Sequence, residues 1–212
     1  MAKFLIADDH PLFRQAMVAA LAPLFLRSEI IQSDSLHSTL EALSLNPDTD
    51  LILLDLHMPD CENFYGLIRV SEDYPNIPIA VVSASDSVAV VSRVMDFGAK
   101  GFIPKSAAIL DIAQALQAIM EGKTWLPQGM DEKLSVVDDE AMGILQMVAE
   151  LTPKQFQVLK LLQDGLLNKQ IANVLSISEA TVKAHISAIF RKLEVSTRTQ
   201  AALILNQFEL PY

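Results

Sequence analysis

Four consecutive branched apolar residues, Leu51-Ile52-Leu53-Leu54, run directly into Asp55, and few folds accept that combination. An unbroken apolar run this short fits a strand covered on both faces, as in parallel sheets packed between helices. Pro59 soon afterwards marks the turn that must follow. In an open α/β sheet, ligands gather outside the carboxyl ends of the strands, which is where Asp55 falls. A carboxylate buried there is costly unless a metal ion or a lysine pairs with it.

The chain before and after this strand repeats its logic. Lys3–Ala7 reads as a strand ending in Asp8-Asp9, followed by a helix that starts near His10-Pro11 and carries Phe13, Met17, Val18, Leu21 and Leu24 on one stripe. Ile30-Ile31 marks a second strand, and Ser35 caps a helix that stops at Asn46-Pro47. After Leu51–Asp55 come a helix around Tyr65–Asp73 and a strand over residues 77–84, with Pro78 at its start. A helix over Asp86–Phe97 follows, terminated at Gly98, then a short strand at Gly101–Lys105. A last helix, Ala107–Glu121, is expected to be capped by Ser106 and stopped by Gly122. Five strands alternating with five helices predict a doubly wound parallel sheet of order 2-1-3-4-5.

Residues 123–149 read as a linker: Trp125-Leu126-Pro127 opens it, an acidic stretch spans 131–140, and a short helix is expected over Ala141–Glu150. Residues 150–212 form a second domain of four short helices. Thr152-Pro153-Lys154-Gln155 is a capping box with proline at the first helical position. Asn168 is expected to cap a helix at Lys169–Leu175. The tight turn Ser176-Ile177-Ser178 leads to another helix at Glu179–Leu193, and the fourth starts near Thr197. Two helices on a tight turn, the second with polar residues at its start, suggest a helix-turn-helix.

Charge separates the two halves. The net charge of −10 at first argues against a nucleic-acid partner. Residues 1–149, however, hold nine Lys/Arg against 21 Asp/Glu, a net of −12, whereas residues 150–212 hold seven against five, a net of +2. An acidic module is thus joined to a mildly basic one. No apolar run approaches the ~20 residues of a membrane helix. The N-terminus turns acidic too early for a signal peptide, and the single cysteine, Cys61, excludes an intrachain disulfide. A cytoplasmic protein with no membrane association is expected.

In the predicted strand order, strands one and three are neighbours, so Asp8, Asp9 and Asp55 converge. Three carboxylates together call for a hard divalent cation, and Mg²⁺ suits a site of few carboxylates completed by water and phosphate oxygens. Ser83 and Lys105, at the ends of strands four and five, supply a hydroxyl and an ammonium for phosphoryl oxygens, and a carboxylate is a competent phosphoryl nucleophile. Taken singly, each has an ordinary alternative: Asp9 a helix cap, Ser83 a strand-end hydroxyl, Phe102 a core residue, Lys105 a solvated lysine. Their joint placement carries the reading.

Asp8-Asp9, Asp55 with Met58-Pro59, Ser83-Ala84 and Gly101-Phe102-Ile103-Pro104-Lys105 together make residues 1–122 resemble the receiver domain of bacterial response regulators. That resemblance implies Asp55 as phosphoryl acceptor, and Mg²⁺ held by Asp8, Asp9, Asp55 and the main-chain carbonyl of His57. It further implies Ser83, Phe102 and Lys105 as the groups that respond to the phosphoryl group. Two positions depart from the pattern: Asn63 stands where many receivers have glycine, and Asp60 adds a negative charge beside the acceptor. Leu151-Thr152-Pro153, Asn168-Lys169-Gln170-Ile171-Ala172, Ile177-Ser178, Thr181-Val182-Lys183, His185 and Lys192-Leu193 resemble the LuxR-type helix-turn-helix of the NarL/FixJ subfamily.

On this reading the helix from Glu179 enters the major groove, with Lys183, Ala184 and Ser187 facing base edges and Lys169, Thr181, His185, Arg191 and Lys192 near phosphates. Its buried stripe is Val182, Ile186, Ile189 and Leu193. The expected function is a two-component response regulator rather than an enzyme. A sensor histidine kinase phosphorylates Asp55, and the protein then binds double-stranded promoter DNA as a homodimer, with RNA polymerase a further partner. The competing readings are a phosphorylation-independent regulator and a signalling adaptor with weak DNA binding. A phosphatase working through an aspartyl intermediate fits less well, because His57 occupies the position of a second aspartate.

Overall fold

The computed structural model describes residues 1–61, 64–131, 134, 147, 148 and 150–206. The chain divides into two compact units, one built on a sheet and one made of helices.

The first unit is a five-stranded parallel sheet of order β2-β1-β3-β4-β5. Its strands are β1 (Lys3–Ala7), β2 (Glu29–Ser33), β3 (Leu51–Asp55), β4 (Ile79–Ser83) and β5 (Gly101–Pro104). The helices between them are α1 (Pro11–Leu21), α2 (Leu36–Leu45), α3 (Tyr65–Asp73), α4 (Val88–Asp96) and α5 (Ile109–Met120). β3 and β4 are buried at every residue, as continuous apolar runs covered on both faces must be. Phe4, Ile6, Leu51, Leu53, Ala80, Val82 and Ile103 from the strands pack with Met17 and Leu21 of α1 and Ile112, Leu116 and Ile119 of α5. The register pairs Ala7 with Leu54 and Asp55 with Val82, which brings the carboxyl ends of β1, β3 and β4 to one edge.

Local chemistry explains most boundaries. Ser35 accepts from the Ser38 amide in a capping box at the start of α2. Pro11 occupies the first turn of α1 without a side-chain cap from His10, and Leu24 lies beyond the helix, half exposed. Two helices begin later than expected. α4 starts at Val88 because Ser87 is extended and its hydroxyl accepts from the Val90 amide, so Asp86 stays outside. α5 starts at Ile109, since the Ala107 amide closes a turn onto the Pro104 carbonyl and Ala108 is extended; Ser106 is no cap. Gly98 and Gly122 sit at positive φ where α4 and α5 end.

The second unit holds α6 (Pro153–Gln163), α7 (Asn168–Val174), α8 (Glu179–Lys192) and α9 (Arg198–Asn206). The Thr152–Gln155 capping box forms as expected. Ser178 caps α8 by accepting from the Thr181 amide, after Ser176 turns the chain at φ 54°. Asn168 is the first residue of α7 rather than its cap: Gln170 Oε1 takes the Leu167 amide, and Asn168 Oδ1 accepts from Arg198 instead. The core gathers Phe156, Leu159, Leu162, Ile171, Val182, Ile189, Leu193, Ala201 and Leu205. The expected linker helix falls on residues 141–150, of which only 147, 148 and 150 are described.

Candidate functional site

At the carboxyl edge of the sheet, Asp8 and Asp55 are buried to 2% and 1% exposure and Ser83 is fully buried. Lys105, reaching back from the end of β5, places Nζ 2.7 Å from Asp8 Oδ2 and 2.8 Å from Asp55 Oδ2. Its ammonium also lies 4.8 Å from the centre of the Phe13 ring. Burial alone would lower the lysine's pKa; the two carboxylates outweigh it and hold the pKa above the usual lysine value. One ammonium thus offsets part of the negative charge of two buried carboxylates.

Asp9 is half-buried beside them, and His10 Nδ1 lies 2.6 Å from Asp9 Oδ1 and 3.2 Å from Asp8 Oδ1. The ligand atoms of Asp8, Asp9, His10 and Asp55 all fall within 4.8 Å of one another. Asp8 Oδ2 and Asp9 Oδ1 are buried with no aligned hydrogen bond, although the Lys105 and His10 nitrogens lie at ion-pair distance. Oxygens left in that state suit a hard cation. The residues present therefore fit Mg²⁺.

The loop after Asp55 is tied back to that residue. The His57 amide donates to Asp55 Oδ1 at 3.2 Å while the residue itself stays exposed, and the Cys61 thiol donates to the Asp55 carbonyl at 3.6 Å. Asp60 takes the left-handed conformation at φ 62°, which aspartate tolerates better than most residues. Burial, reinforced by Asp55, pushes the Cys61 thiol well above the ordinary thiol range, which disfavours the thiolate. Asn63 lies outside the described residues.

On the far side of the site, the Lys105 amide donates to the Ser83 carbonyl at 2.8 Å, and Ser83 Oγ accepts from the Ser85 amide at 3.3 Å. Phe102 is fully buried on β5. A cleft of about 640 Å³ opens over this edge of the sheet, lined by His10, Leu12, Phe13, Asp55, His57, Ala84, Ser85 and Lys105. The structure thus brings Asp8, Asp9, Asp55, Ser83 and Lys105 to one edge. It adds three residues that the sequence reading did not assign to the site. His10 pairs with the carboxylates, Phe13 covers the lysine, and the Arg14 guanidinium donates to the Asp8 carbonyl at 2.5 Å. The run Asp8-Asp9-His10 at the start of a helix was the available signal for the first of these.

In the helical unit, α8 presents Thr181, Lys183, Ala184, Ser187 and Arg191 exposed, and Lys169 is exposed on α7. His185 is half-buried. Val182, Ile189 and Leu193 are buried, with Ile186 partly so, as its stripe predicts. Ser187 Oγ donates to the Lys183 carbonyl at 3.0 Å, and Lys183 lies 3.6 Å from Glu179 in a solvated pair of little energetic weight. Lys192 is engaged elsewhere: Nζ donates to the Glu150 carbonyl at 2.5 Å and to Gln155 Oε1 at 3.0 Å, fastening the end of α8 to the start of α6. Arg198 does similar work at the other end, donating to Asn168 Oδ1 and the Leu166 carbonyl.

Residues 4–117 match the response regulator receiver domain, and residues 149–205 match the bacterial regulatory proteins of the luxR family. The chain belongs to the response regulators, and is of NarL/FixJ type. The regulator is 41% identical over 208 residues to a glycerol metabolism activator of Pseudomonas putida, covering 96% of this chain and 94% of the relative. It is 33% identical to the nitrate/nitrite response regulator protein NarP of Escherichia coli K12, with coverage of 96% and 94%. Among solved structures it resembles RcsB of Salmonella typhimurium, at 25% identity and a TM-score of 0.55, covering 97% of this chain and 98% of that one. RcsB bound to promoter P1flhDC in the presence of phosphomimetic BeF3- is similar at 25% identity and a TM-score of 0.54, with coverage of 96% and 97%. The regulator pairs a receiver with a LuxR-type DNA-binding domain and acts in transcription regulation; its relatives are transcriptional regulators, not enzymes. Among the described residues, no helix is long and apolar enough to cross a membrane.

Proposed function

We propose that the regulator is switched by phosphorylation of Asp55. The observation that carries this reading is the Lys105 ammonium held between two buried carboxylates, 2.7 Å from Asp8 and 2.8 Å from Asp55. Asp55 is the nucleophile, opening onto the cleft through which a sensor histidine kinase presents its phosphoryl group. Asp8, Asp9, Asp55 and the main-chain carbonyl of His57 would hold Mg²⁺, and the ion would supply positive charge opposite the phosphoryl oxygens. Lys105 then trades its carboxylate partners for a phosphoryl oxygen, and Ser83 donates its hydroxyl to another. The Lys105 amide donates to the Ser83 carbonyl, so the two responding side chains stand on adjacent, hydrogen-bonded backbone. Phosphorylation in this way shifts a pre-existing equilibrium of the receiver.

The output is binding of double-stranded promoter DNA by a homodimer in the cytoplasm, with RNA polymerase as a further partner of that assembly. Residues 1–122 act as receiver, 123–149 as linker and 150–212 as DNA-binding domain. On α8, Lys183, Ala184 and Ser187 face base edges, and Lys169, Thr181, His185 and Arg191 meet phosphates. Lys192 we assign to packing, since its ammonium already has two partners.

The test is intact mass after incubation with acetyl phosphate and Mg²⁺, beside Asp55→Ala. A phosphoryl adduct on the wild type alone supports the switch. No adduct with metal and ample donor overturns it and leaves a phosphorylation-independent regulator.

A further inference from the structure

β5 is the last strand of the sheet, and its outer edge should present unpaired backbone groups. One residue beyond α5 covers it. The Trp125 amide donates to the Lys100 carbonyl at 3.0 Å, and the Phe102 amide donates to the Trp125 carbonyl at 3.1 Å. Together these form a parallel bridge between Trp125 and Gly101. Trp125 is half-buried and packs against the receiver core. Gly101 is glycine for a steric reason: a Cβ there would lie 2.5 Å from Ile119 Cδ1 and 3.1 Å from the Trp125 carbonyl oxygen. The close approach of this segment is therefore written into the strand it covers.

This bridge sits at a particular point. Phe102, whose amide it takes, is three residues from Lys105, whose ammonium holds Asp8 and Asp55. On its inner side β5 pairs with β4, placing Phe102 opposite Val81 and Pro104 opposite Ser83. Trp125 is also the first residue after α5 to make such a bond, and the chain runs from it toward the DNA-binding helices. A pocket of about 430 Å³ between Pro104, Ser106 and Asp111 on one side and Trp125 and Pro127 on the other leaves room for the segment to shift.

We propose that Trp125 is a main-chain clamp through which the state of the acceptor site reaches the linker. When Lys105 leaves its carboxylates, β5 moves with it, and the strained element is the pair of hydrogen bonds to Trp125. The site and the linker are thereby joined by backbone, with no intervening side-chain relay. This inference rests on phosphorylation at Asp55, as proposed above.

The experiment uses the full chain, with acetyl phosphate and Mg²⁺, and reads intact mass, Trp125 fluorescence and amide exchange over residues 100–104 and 123–127. Trp125 is the only tryptophan, so its emission is unambiguous. The expected result is an emission change, and altered exchange at both segments together, in the wild type and not in Asp55→Ala. An adduct by mass with unchanged emission and exchange overturns the clamp and leaves the phosphorylation reading intact. No adduct overturns that reading itself. As a second arm, Gly101→Ala pushes the Trp125 carbonyl away. It should keep the mass adduct but reduce the phosphorylation-dependent gain in DNA affinity from on the order of tenfold to less than about twofold. Retention of the full gain refutes the clamp.

Discussion

Replacing Lys105 with methionine keeps most of the side-chain stem over Phe13 and removes only the ammonium. What remains is two carboxylates, 1% and 2% exposed, that lose a cation shared at 2.7 and 2.8 Å. Breaking a buried pair by deleting one partner costs about 3–5 kcal/mol; because the Lys105 side chain is 17% exposed and water reaches that side, we expect about 2–3 kcal/mol. That corresponds to a fall in Tm of roughly 10 °C for a domain of this size. The two domains need not unfold together, so a global signal would blur the result. Trp125 fluorescence avoids this, because the only tryptophan lies in the sheet-bearing unit.

The same reasoning predicts the response to metal. In the wild type, bound Mg²⁺ joins carboxylates that already have a lysine; in Lys105→Met it replaces the missing cation. Ten millimolar Mg²⁺ should therefore raise the Tm of the variant more than that of the wild type. At a concentration a hundred times its dissociation constant a ligand adds about 2.7 kcal/mol, enough to restore most of the loss. A variant that melts within about 1 °C of the wild type, or gains no more from Mg²⁺ than the wild type does, refutes the claim that Lys105 compensates the carboxylates.

Other perturbations separate function from packing. Arg191→Ala should weaken binding to all DNA sequences and reduce the slope of log affinity against log salt by about one, measured by fluorescence anisotropy. Lys192→Met should leave that slope unchanged and instead destabilise the helical unit by about 1 kcal/mol in urea titration followed by circular dichroism, since its hydrogen bonds go to Glu150 and Gln155. Cys61 should resist iodoacetamide in the folded protein and react fully in urea; stoichiometric labelling of the native state would contradict its burial. Burial raises the Asp96 pKa above 3.8, so this carboxyl favours the folded state below that value and loses its contribution as pH rises through the raised pKa. Asp96→Asn should then melt above the wild type at pH 7, with the difference closing as the pH falls toward 4.

The parts of this structure legible in the sequence are those where one residue type has one physical outcome. An unbroken Leu51–Leu54 must be covered on both faces, and the observed strand ends at Asp55 as the run does. Ser35, Thr152 and Ser178 each cap the helix that follows. Where neighbouring residues compete for the same task, the sequence does not choose. Ser87 takes the cap of α4 and so leaves Asp86 outside the helix, and the turn from Pro104 to Ala107 removes Ser106 from contention at α5. Lys192 shows the same limit at longer range. A lysine at the end of a helix reads as a free cation, and only the fold reveals that Gln155, 37 positions earlier, has taken it. The Gly101–Trp125 bridge lies beyond any local rule, because its demand for glycine comes from Ile119 and Trp125 rather than from a turn at Gly101. Asp8, Asp55, Ser83 and Lys105 were therefore legible from strand ends, whereas His10, Phe13 and Arg14 beside them, and the segment that covers the sheet edge, depend on which residues the fold brings alongside.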